Sequence, residues 1–290
     1  MPRLAYVNGR YVPHAQAAVH IEDRGYQFAD GVYEVVPVYR GILVDEEPHL
    51  DRLDRSLSEL RIAWPMSREA LRLILGELIR RNGLTNGLVY LQMTRGTAPR
   101  DHKFPAASET ALVITTKRQN PISEAVLAEG VSVITIPDIR WRRCDIKSIS
   151  LLPNVLGKQQ AVEAGAYEAW QVDDDGYVTE GTSTNAWIVS AEGQLVTRGV
   201  EHAILNGITR RSLLDLVREA GIALEERRFT VAEAKAAREA FLTSSSSFVL
   251  PITRIDDSPV GSGKPGALTK RLREHYVSHI THAERKKALA

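Results

Sequence analysis

The chain has 290 residues, 43% apolar and 25% charged, which is the length and composition of a globular protein with two ordinary domains, each able to bury its own core. A net charge of +1 gives no electrostatic reason to expect nucleic acid as a partner, and a single cysteine, Cys144, excludes an internal disulfide and a cysteine-based metal site. The amino terminus lacks the apolar stretch of a signal peptide and no run reaches the length of a membrane span, so cytoplasmic residence is expected.

The fold opens with Tyr6-Val7-Asn8-Gly9-Arg10-Tyr11-Val12, where Asn-Gly between β-formers predicts a tight hairpin of the primed turn type. A second hairpin is predicted over 35–44, turning at Arg40-Gly41. Leu50, Leu53, Leu57 and Leu60 then recur at helical spacing before Trp64-Pro65, which places Arg52 on a helix. The next helix is predicted from its cap Ser67 to Asn82, ending at Gly83, with apolar strands at 88–93 and 111–115. These elements make an α+β domain. The polar, proline-broken run 117–123 is the best linker, giving a small domain over 1–117, a linker over 118–124 and a larger domain over 125–290. That larger domain is predicted to be strand-rich, with a strand at 131–136, a helix at 155–164 and a hairpin of 169–172 with 177–180. A further hairpin joins 186–189 to 195–197, and Leu205-Asn206-Gly207-Ile208-Thr209-Arg210 opens a helix closing at Gly221.

Two residues at element ends suggest chemistry. Lys147, in Arg142-Arg143-Cys144-Asp145-Ile146-Lys147-Ser148, is able to form a Schiff base with an aldehyde cofactor such as pyridoxal phosphate. Glu180, in Thr179-Glu180-Gly181-Thr182, is able to keep a pyridine nitrogen protonated. An isolated Lys/Glu pair is also ordinary surface charge. A phosphate would need a cradle, for which Gly207-Ile208-Thr209 at a helix start, the run Thr243-Ser244-Ser245-Ser246-Ser247 and the guanidinium of Arg52 are the candidates. Each equally suits capping or a plain loop. Gly261-Ser262-Gly263-Lys264-Pro265-Gly266 resembles a nucleotide phosphate loop but has Ser258 and Pro265 where glycine and a hydroxyl residue are required, and reads as a turn before the last helix. His275, His279 and His282 share a face of that helix, a spacing that metal ligation and a solvated or interface face both allow; no metal is expected.

Taken together, these motifs resemble the class IV, fold type IV pyridoxal phosphate aminotransferases, and most closely the D-amino-acid transaminases. The likeness runs through 22–35, His49-Leu50-Asp51-Arg52-Leu53, 94–102, Asp145-Ile146-Lys147-Ser148, Thr179-Glu180-Gly181, 206–210 and Thr243-Ser244-Ser245, in the same order. It implies an α/β (α+β) fold with a small α/β domain and a larger strand-rich pseudo-barrel. It also implies Lys147 as the Schiff-base lysine and proton carrier, and Glu180 as the partner of the pyridine nitrogen. Arg52, Ile208, Thr209, Ser244 and Ser245 would hold the phosphate, and Tyr33, Arg100 and His102 the substrate α-carboxylate. An Arg-x-His at this loop is the narrower mark of the D-specific enzymes, because arginine matches a planar carboxylate with two parallel hydrogen bonds and histidine adds a third donor. In the family that loop comes from the neighbouring subunit, so the likeness implies a homodimer. The implied reaction is ping-pong transfer from a D-amino acid such as D-alanine to a 2-oxo acid such as 2-oxoglutarate. An L-branched-chain aminotransferase, an (R)-selective amine transaminase and an aminodeoxychorismate lyase would keep the same lysine and glutamate. A noncatalytic cofactor carrier, or a phosphate-ligand binding protein built on the Gly261 turn, are the readings from other classes. The chain departs from the pattern at Phe248-Val249-Leu250, where relatives often carry polar residues, and in the tail 283–290.

Overall fold

The computed structural model describes residues 3–288, with side chains through Thr281. At the start of the chain Asn8 and Gly9 take left-handed angles, φ 43° and 90°, and fold β1 (Leu4–Val7) onto β2 (Arg10–Pro13) as the Asn-Gly dipeptide predicts. After α1 (Arg24–Phe28), β3 (Gly31–Tyr39) turns at Arg40-Gly41 into β4 (Ile42–Leu43). Helix α2 (Glu46–Leu60) starts earlier than its leucines suggest, since Glu46 and Glu47 favour a helix amino terminus and need no apolar partner. Helix α3 (Arg68–Arg81) is capped by the Ser67 hydroxyl, which accepts from the Ala70 amide at 3.2 Å. Strands β5 (Gly87–Thr94) and β6 (Ala111–Arg118) complete an antiparallel sheet of order β2-β1-β6-β5-β3-β4. Leu50, Leu53 and Leu57 of α2 and Leu71, Leu75 and Leu78 of α3 close the core against Val89, Leu91 and Ile114.

The second unit runs through α4 (Glu124–Glu129), β7 (Val131–Pro137), α5 (Leu152–Glu163), β8 (Glu168–Val172), β9 (Val178–Gly181), β10 (Asn185–Val189), β11 (Leu195–Thr197) and α6 (Ile208–Glu219). It continues through β12 (Leu224–Glu226), α7 (Val231–Ala236), β13 (Glu239–Ser244), β14 (Phe248–Ile255), β15 (Ser258–Pro259) and α8 (Ala267–Ala288). Its sheet, of order β12-β11-β10-β13-β14-β7-β8-β9 with β15 on β14, mixes parallel and antiparallel pairs and curls so that the end strand β9 lies beside β10. This is the strand-rich half-barrel expected from the resemblance. Helices α6 and α8 cover β13 and β14, and α5 covers β7 and β8. The stretch Ile146–Ser150 packs with the first unit, although the residues on either side of it belong to the second. The turn at Gly261 and Gly263 leads into α8, where His275 and His279 lie; the side chains from His282 onward, and residues 289–290 altogether, fall outside the described residues.

One polar cluster lies inside the first unit. Glu34 of β3 is fully buried and accepts from Arg52 Nε and Nη2, both at 2.8 Å, and pairs with His49 Nδ1 at 2.7 Å; both partners stand on one face of α2. Burial alone would raise the Glu34 carboxyl, but Arg52 and then His49 outweigh it and hold it far below the usual carboxylate range. Burial pushes His49 below its ordinary value against the pull of Glu34, so it is neutral at pH 7. Both groups have folded-state values below their unfolded ones, so each favours folding at neutral pH and loses that contribution on acidification. His49 acts from below about pH 6.5 and Glu34 from below about pH 4.3. Glu34→Gln, which strips Arg52 of its carboxylate, is predicted to lower stability by about 3–5 kcal/mol at pH 7 and to flatten the acid limb of the stability profile. Urea unfolding at a series of pH values checks this; an unchanged midpoint and slope would show that the cluster contributes nothing.

Candidate active site

Lys147 is positioned by its own backbone. Ser148 bridges to Val32 of β3, the Tyr33 amide donates to the Lys147 carbonyl at 3.0 Å, and the Lys147 amide donates to Ser56 Oγ at 3.3 Å. The neighbouring Ile146 is buried in the first core and anchors the stretch. From there the side chain reaches Tyr33, with Nζ 4.2 Å from the ring centroid. Lys147 makes no ion pair among the described residues, so a half-buried amine lies against an aromatic face with no carboxylate to hold it. Tyr33 leans in turn on Tyr90, at 5.6 Å between centroids, whose hydroxyl burial pushes up to about 12.

The predicted carboxylate trap has a different setting in the same unit. Arg100 lies 4.6 Å from the Phe28 ring and the His102 ring 5.3 Å from it, both exposed. The buried guanidinium of Arg24 donates to the carbonyls of Asp101 at 2.6 Å and His102 at 3.4 Å, while its Nε is held by Asp30. Thus Arg100 and His102 are brought together on Phe28, and no hydrogen bond or ring contact joins either of them to Tyr33 or Lys147. Arg52 is committed through Nε and Nη2 to Glu34.

In the second unit Glu180 of β9 is buried, and its carboxylate is surrounded by donors: Arg140 Nη1 at 2.5 Å, Asn185 Nδ2 at 2.9 Å and the Leu205 amide at 3.1 Å. Burial raises its pKa, against the opposing pull of Arg140 and the Leu205 amide. Arg140 is fixed from its other side by Asp138, through Nε at 2.9 Å and Nη2 at 2.7 Å, and by the Ala203 carbonyl at 3.0 Å. Asn185 ties the remaining pieces together. A Cβ at Gly207 would stand 2.1 Å from Asn185 Oδ1, which is why the start of α6 carries glycine there. Asn185 also pairs in register with Thr243 of β13, so Ser244 follows at the same end of the sheet. Helix α6 has Gly207 as its N-cap, a residue with no side chain to accept from the first amides, those of the buried Ile208 and Thr209 among them. Within this unit the fold therefore gathers a buried carboxylate, an uncapped helix start and the 244–247 hydroxyls around one asparagine. That donor set suits a ligand with a basic ring nitrogen at one end and a phosphate at the other.

Sequence reasoning missed Arg140, Asp138, Asn185, Arg24, Glu34 and His49. The run Arg140-Trp141-Arg142-Arg143 gave no sign of which arginine turns inward, because only the three-dimensional approach of β9 selects Arg140. Cys144 carries no chemistry: burial pushes its thiol up to about 12, and it donates to the Trp141 carbonyl. Among the described residues no group of three or more His, Cys, Asp or Glu could hold a metal ion, and no helix is long and apolar enough to cross a membrane.

Comparison with known proteins agrees with this chemistry. The family model for amino-transferase class IV matches residues 31–255. The D-alanine aminotransferase of Bacillus licheniformis is 46% identical over 266 residues, 91% of this chain and 93% of that one, and that of Listeria innocua is 41% identical over 96% of each. The solved T.th. branched-chain amino acid aminotransferase with pyridoxamine 5'-phosphate superposes with a TM-score of 0.89 at 26% identity, over 97% of this chain and 95% of that one. With its family model spanning most of the chain and relatives above 40% identity along nearly its whole length, this chain belongs to the class IV aminotransferases.

Proposed function

We propose that the chain moves the amino group of D-amino acids, D-alanine among them, to 2-oxo acids such as 2-oxoglutarate by a ping-pong cycle on pyridoxal 5'-phosphate. The observation that carries this reading is Lys147, a half-buried amine lying on the Tyr33 ring without an ion-pair partner in a class IV chain. The D preference is supported by the 46% identity to a D-alanine aminotransferase and by the Arg100-Asp101-His102 loop. An L-branched-chain reading has one observation in its favour, the close fold match to the T.th. branched-chain enzyme, but at 26% identity it is the weaker.

Pyridoxal phosphate supplies an aldehyde that condenses with amines and a ring that withdraws electrons from the substrate α-carbon. The protein's residues do the rest. Lys147 would hold the aldehyde through its Nζ, and the same Nζ would carry the substrate α-proton. Glu180 would hold the ring nitrogen, and Arg140 and Asn185 fix the orientation of its carboxylate. The amides of Ile208 and Thr209, the hydroxyls of Ser244 and Ser245 and the guanidinium of Arg52 would hold the phosphate. Tyr33, Arg100 and His102 receive the substrate carboxylate, and by fixing where it is pinned relative to Lys147 they select the enantiomer.

The active unit in this reading is a homodimer, with Arg100 and His102 serving the neighbouring subunit. The exposed loop that bears them supports this, as does the apolar face of α5, where Leu152 is 69% and Val155 59% exposed beside Leu156 and Val162. Sedimentation as a single 32.2 kDa species would contradict it. Cytoplasmic residence goes with the same reading, since the one thiol suits a reducing compartment.

Lys147→Ala is predicted to slow transamination by at least about a thousandfold, read as keto acid formed from D-alanine, and normal turnover by that variant would end this mechanism. For Arg100→Ala the expectation is a fall in kcat/KM for D-alanine equivalent to about 2–5 kcal/mol, with cofactor affinity unchanged. A loss of only a few tenths of a kcal/mol in the same assay would place the carboxylate trap on other residues.

A further inference from the structure

The turn that carries the serines contains an unusual backbone. Strands β13 and β14 pair Ser244 with Phe248 across residues 245–247, and Phe248 closes the turn at φ 60°. That left-handed conformation is ordinarily taken by glycine or asparagine, and for a bulky aromatic residue it persists only where the surroundings over-determine it. Here α8 supplies the surroundings. Arg273 Nη1 donates to the carbonyls on either side of Phe248, Ser247 O at 2.8 Å and Val249 O at 2.6 Å, so its charge is spent on backbone and not on a carboxylate. Tyr276, one turn further on the same helix face and fully buried, lies against the Phe248 ring at 5.4 Å between centroids.

The consequence reaches the hydroxyl expected to meet the cofactor. Ser247 is buried; its amide donates to Ser244 Oγ at 3.1 Å and its own Oγ stands 2.7 Å from the same atom. A serine hydroxyl has two acceptor positions and one hydrogen. Ser244 Oγ also has Ser246 Oγ at 3.1 Å, so contacts from residues 246 and 247 together fix where that hydroxyl sits. We propose that Arg273, backed by Tyr276, is a positioning residue for the phosphate turn: by holding Phe248 left-handed it seats Ser247 on Ser244 and fixes the Ser244 hydroxyl where a phosphate would meet it. This rests on the reading of Ser244 as a phosphate ligand given above.

The test is a double-mutant cycle on the purified protein with pyridoxal phosphate as the probe, following its dissociation constant by dialysis and the phosphorus NMR shift of the bound form. Arg273→Met in the natural background is expected to weaken pyridoxal phosphate binding about tenfold and to move the phosphorus resonance. Phe248→Gly removes the need for the clamp, because glycine adopts the left-handed angle unaided. In that background Arg273→Met is expected to change affinity less than about twofold. Equal losses in both backgrounds, or an unmoved resonance, would overturn the inference and leave Arg273 a general structural residue. Should Arg273→Met not fold, Arg273→Lys enters the same cycle with the same criterion. Ser244→Ala separates the two levels. If it weakens binding while Arg273→Met does not, the clamp is wrong and the ligand assignment stands. If Ser244→Ala has no effect, the ligand assignment fails and the clamp's role in cofactor binding falls with it.

Discussion

A carboxylate taken out of water is costly unless the protein supplies an opposing charge; at Glu180 that charge is Arg140, 2.5 Å away and itself locked by Asp138, and burial still holds the Glu180 pKa above its ordinary value. Much of the second unit's architecture is the scaffolding of this pair. Arg140 sits just past the end of β7, Glu180 in β9, and Asn185 opens β10, so the curl that returns β9 to the side of β10 is what brings the three together. Asn185 then dictates its neighbours: it leaves room only for glycine at 207, and through its register with Thr243 it sets where the serine turn begins. An arrangement of this kind favours a ligand whose ring carries a proton opposite Glu180, since an extra positive charge there relieves what burial costs the carboxylate.

The first unit solves a related problem with the opposite outcome. Arg52 and His49 are buried with Glu34, so the charge of that cluster is balanced within the fold and its main effect is rigidity of α2 against β3. Lys147, by contrast, meets an aromatic ring and makes no ion pair among the described residues. A lysine locked in a salt bridge would be a poor nucleophile. One resting on Tyr33 is held in place with no carboxylate bound to its amine, which fits the role proposed for it.

Much of this was legible in the sequence, and the reasons differ element by element. The Asn8-Gly9 turn, the Ser67 cap and the leucines of α2 and α3 announce themselves because local chemistry and core burial ask for the same residues there. Strand β14 was not read, because Pro251 interrupts it and its first residue takes a left-handed angle that no propensity favours for phenylalanine. The short helices α1, α4 and α7 lack the length over which periodicity shows. At the site, Lys147 and Glu180 drew notice through the chemistry of their side chains, whereas Arg140, Arg24 and Arg273 looked like any surface arginine. Their inward direction is fixed by carbonyls and carboxylates distant in the chain, which a linear pattern does not display. Phe248, a departure from the family pattern in sequence terms, proves to be the residue through which α8 grips the serine turn.

The most direct measurement is the absorbance spectrum of the purified holoenzyme during separate additions of D-alanine and L-alanine, with no keto acid present. Loss of the cofactor's visible band with D-alanine alone is the predicted result, because one half-reaction suffices to transfer the amino group. The same loss with an L-amino acid only would assign the chain to the branched-chain type, and a protein that develops no such band even after pyridoxal phosphate is added would contradict the proposed chemistry altogether.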